Sequence, residues 1–148
     1  MNKHSITIHS PSDFESMKKA GQLASDVLDY LTPFVEPKVT TGFLNDLAHE
    51  YIVSKGAIPA PLNYKGFPKS TCISVNHVVC HGIPGDKKLN SGDILNIDVT
   101  VILNGWYGDT SRMFFAGEPS IKAKRLCDIT YQCLLVGIEA SKPGAVLG

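Results

Sequence analysis

Apolar positions along the chain change their period, and the changes mark the elements. Met17, Ala20, Ala24, Val27, Leu28 and Leu31 follow helical spacing. Ser12 and Glu15 stand three apart at the head of this run and predict a capping box. Pro33 and Pro37 bracket its end. A second helix is expected from Thr40 or Thr41, with Leu44, Leu47, Ala48, Tyr51 and Ile52 as its apolar face and Gly56 closing it. Residues 58–68 carry prolines at 59, 61 and 68, which exclude a helix. Short strands are expected at residues 71–75 and 78–80, with a turn at Asn76-His77 between them. After a loop with a capping Ser120, the residues Leu126, Ile129, Cys133, Val136, Gly137 and Ala140 form one stripe of a third helix, which Lys142-Pro143-Gly144 stops. Residues 1–10 read as an extended lead-in.

The strongest local signal lies between the second and third helices. Residues 95–103 and 106–115 are strand-like, and Asn104-Gly105 separates them. Asn-Gly between two such runs predicts a two-residue type I′ hairpin, because both central residues need φ > 0. That loop pairs Leu103 with Trp106, so Asp98 faces Ser111 and Asp109 faces Thr100. Opposite residues share a face, as do i, i+2 neighbours. Asp98 and Asp109 are therefore diagonal neighbours on one face, with backbones roughly 7–8 Å apart. Ile97, Val99 and Val101 point the other way and are good core. A three-residue loop would break the parity and send the carboxylates to opposite faces.

Composition narrows the setting. A chain of 148 residues with 43% hydrophobic and 19% charged content is one domain's worth and can bury a core. Formal net charge is zero, so no nucleic-acid partner is indicated. No run approaches the ~18 apolar residues of a membrane span. The first ten residues lack an apolar signal region, and the cysteines at 72, 80, 127 and 133 form no C-x-x-C pair. Reduced thiols in a cytoplasmic protein are the expectation. Burial is expected for Cys127 and Cys133.

Asp is depleted in strands, so two in mid-hairpin need a reason. One reason is a hairpin with a face in water. The other is a metal site, since like charges held close are unfavourable without a cation. His81 follows a short strand and precedes Gly82 and Pro84, a position from which it can reach into a cleft or serve a structural role. His49 reads as a surface histidine.

The strings V-C-H-G-I-P (79–84), N-I-D-V-T (96–100) and G-D-T-S-R (108–112) together resemble the type I methionine aminopeptidases. K-A-G at 19–21, T-T-G at 40–42 and Y-K-G-F-P-K-S at 64–70 extend the resemblance over nearly the whole chain. The paired-Asp hairpin alone is shared with prolidase-like relatives; the His81-Gly82 element points to the methionine enzymes. The resemblance implies an α+β fold, the N-terminal half of a pseudo-two-fold "pita-bread" arrangement, with residues 1–148 a single incomplete aminopeptidase domain. It implies two divalent metal ions (Co, Mn, Fe or Zn), with Asp98 chelating one and Asp109 bridging both, and a metal-activated water for hydrolysis. His81 would hydrogen-bond the substrate backbone as a catalytic and substrate-binding residue, and Thr100 would support Asp98. Tyr64, Phe67 and Cys72 would line the methionine pocket, where S···aromatic contacts suit a thioether. The implied partners are nascent proteins with N-terminal Met, met near the ribosome. The family's further ligands, a His and two Glu, and its second catalytic His are not in this sequence, so the chain alone is expected to be inactive or nearly so and to expose apolar surface. The alternatives are a non-catalytic peptide- or partner-binding protein on the same fold and an X-Pro peptidase.

Overall fold

The computed structural model describes residues 6–146. Three helices and four strands follow in the order α1 (Pro11–Leu31), α2 (Thr41–Ser54), β1 (Ile58–Pro59), β2 (Cys72–Val75), β3 (Asp93–Leu103), β4 (Trp106–Ala116) and α3 (Ile121–Ala140). Every strand pairing is antiparallel, and β3 is the spine. β4 runs along one edge of β3; β1 and β2 lie end to end along the other.

The helix α1 begins two residues earlier than its sequence suggests. Ser10, not Ser12, is the cap: its hydroxyl accepts from the Asp13 N–H, and the Asp13 carboxylate accepts from the Ser10 N–H at 2.8 Å. Pro11 explains the shift, since its fixed φ suits the first helical position and it has no N–H to leave unpaired. Ala20, Leu23, Ala24, Val27, Leu28 and Leu31 are buried, whereas Met17 is exposed. The helix α2 is capped by Thr40, whose hydroxyl accepts from the Phe43 N–H, and it buries Leu44, Ala48 and Ile52.

The core lies between these two helices and one face of the sheet. Leu95, Ile97, Val99 and Val101 alternate inward from β3 and are fully buried. Each such side chain contributes about 1.5–3 kcal/mol relative to exposure. Phe114 and Ala116 join them from β4, and Ile73 and Val75 from β2. Arg112 also points to this side and donates to the Asp29 carboxylate of α1 at 2.7 Å. Helix and strand approach tightly at Gly108, where a Cβ would lie 2.1 Å from the Ala20 carbonyl oxygen of α1.

Several expectations change. Residues 78–80 are not a strand: Val79 is exposed and the segment is irregular up to His81, whose φ is 53°. A left-handed residue there ends any extended run. The connector at 58–68 is proline-rich as expected, yet holds a one-turn 3-10 helix at Tyr64–Gly66 and the bridge strand β1. His49 is half-buried, with Nδ1 2.8 Å from the Ser70 hydroxyl. The helix α3 forms with Ser120 as its cap, but of its residues only Cys127 is buried. Cys133 is exposed, contrary to expectation, as are Leu126, Ile129 and Val136 of the same stripe. Helical spacing lines these side chains up, but burial needs a second surface, and no other described element covers them. The expected lead-in falls partly on residues 1–5, outside the described residues. Among the described residues no helix is long and apolar enough to cross a membrane.

Candidate metal centre and substrate cleft

The hairpin places its carboxylates as turn chemistry requires. Asn104 and Gly105 have φ of 51° and 83°, and Leu103 pairs with Trp106. Asp98 therefore lies opposite Ser111, and Asp109 opposite Thr100. Both carboxylates stand on the face away from α1, half-buried at Asp98 and exposed at Asp109. On its other side Asp98 faces Cys72 of β2.

A cleft of about 850 Å³ opens over this face. Asp98, Thr100 and Asp109 form its floor, and Cys72 and His81 line it. Tyr64 and Phe67 come from the turn-rich connector, tied to the sheet where the Ala60 N–H donates to the Thr100 carbonyl at 2.9 Å. All seven side chains singled out from the sequence meet in one cavity.

Tyr107, Ala60, Lys65 and Ile83 also line the wall and are not among the residues expected from the sequence. Tyr107 was findable, since it lies two residues before Asp109 on the same strand and shares its face. The others carry no periodic signal.

Electrostatics favour a cation. Burial first, and then the Asp109 charge, raise the Asp98 pKa above its ordinary value, while His81 pulls the other way. Neither Asp98 nor Asp109 takes part in an ion pair among the described residues. Burial also pushes the Cys72 thiol up to about 11, with help from Asp98, Cys80 and Asp109. A divalent metal would relieve the repulsion, and carboxylate oxygens suit hard or borderline cations. The donor set fits such an ion but is sparse: among the described residues no group of three or more His, Cys, Asp or Glu is arranged to hold one.

The chain is similar to known proteins over nearly its whole length. Residues 15–148 match metallopeptidase family M24. The methionine aminopeptidase of Rickettsia prowazekii (strain Madrid E) is 62% identical over 143 residues, which cover 97% of this chain and 55% of that protein. Methionine aminopeptidase A of Synechocystis sp. is 53% identical over 144 residues, covering 97% of this chain and 57% of that protein. The crystal structure of methionine aminopeptidase from Rickettsia prowazekii superposes with a TM-score of 0.87 at 62% identity, over 88% of this chain and 53% of that chain. The chain thus spans about half the length of the curated relatives it matches. Its helices and antiparallel sheet are consistent with the N-terminal half of the pita-bread fold. By sequence and by fold, the chain belongs to metallopeptidase family M24.

Proposed function

We propose that this chain is the N-terminal half of a methionine aminopeptidase, a hydrolase that removes the N-terminal Met from nascent proteins in the cytoplasm, near the ribosome. The observation that carries the reading is the hairpin: Asp98 and Asp109 share one face beneath a cleft that His81, Tyr64, Phe67 and Cys72 also line.

Each residue has a task on this reading. Asp98 and Asp109 would hold divalent metal of the Co, Mn, Fe or Zn class, Asp98 as ligand to one ion and Asp109 shared by two, and Thr100 beside them would support Asp98. Bound metal supplies Lewis-acid polarisation of the scissile carbonyl and activation of water. His81 hydrogen-bonds the substrate backbone next to the cleaved bond. Tyr64, Phe67 and Cys72 surround the methionine side chain, and the high pKa of Cys72 keeps that thiol neutral against a thioether.

Two carboxylates without a third donor hold metal weakly, so the chain alone is inactive or nearly so. On this reading the remaining ligands would come from the part of the relatives' length that this chain does not span. The exposed apolar row of α3 fits the same view, because a contiguous apolar surface on a folded domain marks an interaction site.

The test is release of Met from a Met-Gly-Met peptide with added Co²⁺ or Mn²⁺, by this chain and by a version extended to the relatives' length. The extended protein should cleave it and leave an X-Pro peptide intact. Cleavage of the X-Pro peptide instead would favour a prolidase-like specificity. Metal binding with no cleavage of either would favour a non-catalytic peptide-binding protein.

A further inference from the structure

The proposed chemistry uses the open face of the sheet and leaves the buried polar side chains without a task. Among the described residues these are Thr41, Asn45, Ser70, Thr71, Ser74 and Asp93. All but Asp93 converge on the two segments that carry His81 and Cys72.

Thr41 and Asn45 lie one turn apart on α2, and each is 3% exposed. The Thr41 hydroxyl accepts from the Gly85 N–H at 3.0 Å and donates to the Gly85 carbonyl at 3.2 Å. The Gly42 N–H donates to that same carbonyl at 2.8 Å. Asn45 Oδ1 accepts from the backbone N–H groups of Ser70 and Thr71 at 2.9 and 3.1 Å, just ahead of Cys72. From β2, the Ser74 hydroxyl accepts from the Gly82 N–H at 3.1 Å, and the Ile73 N–H donates to the Gly82 carbonyl at 2.9 Å. Gly82 sits so tightly here that a Cβ would fall 2.2 Å from the Ile73 carbonyl oxygen.

Residues 82–85 are thus held at both ends, by β2 at Gly82 and by α2 at Gly85. His81 immediately precedes them in the left-handed region, with φ of 53°. A residue with a Cβ stays in that region only where its surroundings over-determine it. Neither Thr41 nor Ser74 lines the cleft, so any effect they have on it is indirect, through the backbone segments that carry the lining residues His81, Ile83 and Cys72.

We infer that Thr41 and Ser74 are positioning residues: a buried polar clamp that fixes the backbone after His81 and thereby sets where its imidazole stands over the carboxylate pair. Asn45 does the same for the Cys72 wall, so α2 sets the spacing between the two sides of the cleft. The inference rests on the proposed function only for what His81 then touches.

The test needs neither substrate nor turnover, so failure of the peptidase reading leaves it intact. The chain and its Thr41→Val, Thr41→Ser and Ser74→Ala variants are compared by NMR at fixed pH. The readouts are the His81 ring resonances and the exchange rates of the Gly82 and Gly85 amides. Thr41→Val and Ser74→Ala should each speed exchange of their bonded amide about tenfold or more and shift or broaden the His81 ring signals. Thr41→Ser, which keeps the hydroxyl, should return both toward the parent. His81 ring signals unchanged in both Val and Ala variants would overturn the inference, as would a Ser variant as altered as the Val one. Should Thr41→Val fail to fold, the Ser74→Ala measurement decides alone by the same criterion.

Discussion

Asp98 and Asp109 sit diagonally across the β3–β4 ladder, each opposite the hydroxyl residue that neighbours the other: Asp98 faces Ser111, and Asp109 faces Thr100. The arrangement leaves two carboxylates converging with no cationic side chain paired to either among the described residues. If they hold metal as proposed, Asp109→Asn should weaken Mn²⁺ or Co²⁺ binding at least ~10-fold, as loss of even an outer partner of a metal ligand does. His81→Ala should leave that affinity near the parent value. Isothermal calorimetry compares the two, and equal losses would refute the assigned roles.

The two buried or half-buried carboxylates of β3 should respond to pH in opposite senses. Asp98 has its folded pKa raised by burial and by Asp109. Its contribution to stability is full below the ordinary carboxylate pKa and is lost as pH rises through the folded value. For Asp93, burial opposes ionisation, but hydrogen bonds from the Asn90 N–H and the Asn76 side chain outweigh it and lower the pKa. That contribution is present above the ordinary pKa and is lost as pH falls through the depressed value. In metal-free protein, Asp98→Asn should therefore raise the urea midpoint at neutral pH, and Asp93→Asn should lower it. Midpoints measured from about pH 3 to 7 in the presence of a chelator read both effects.

Gly108 is where β4 meets α1 backbone to backbone. A Cβ there would lie 2.1 Å from the Ala20 carbonyl oxygen, and neither partner is a flexible side chain that can move aside. Gly108→Ala should cost about 1–3 kcal/mol, the range for overpacking a core. Urea denaturation measures it, and a neutral result would mean that α1 does not dock as closely as described.

Thiol reactivity should separate the four cysteines into two pairs. Cys80 and Cys133 are exposed, whereas Cys72 and Cys127 are buried. Cys72 is further slowed because its pKa of about 11 leaves almost no thiolate at neutral pH. A disulfide reagent should modify two thiols in a fast phase and the other two slowly, with peptide mapping to identify them. Fast modification of Cys72 would contradict its place against Asp98.

How much could be read from sequence depended on how local each determinant is. The hairpin register was legible because Asn104-Gly105 dictates it by itself, and strict side-chain alternation then carries it ten residues outward in each strand. The first helix is legible in its interior but not at its start, where Ser10 and Ser12 compete and Pro11 decides between them. The segment at 78–80 is not legible as irregular, because its left-handed end at His81 is held by contacts from elsewhere, which no apolar pattern encodes.

Seven residues of the candidate site were nameable from the sequence, and the pairing of Asp98 with Asp109 followed from one turn and the two-residue period of a strand. Their meeting with Tyr64, Phe67, Cys72 and His81 was decided only by tertiary structure. The bond between Thr41 and Gly85 spans 44 residues, and Asn45 reaches Ser70 across 25. Such contacts form only once α2 has packed on the sheet, since the free chain has no local preference that would bring these segments together. Burial of α3 shows the complementary limit: its apolar spacing is written in the sequence, but whether that face is covered depends on a second surface that spacing cannot specify.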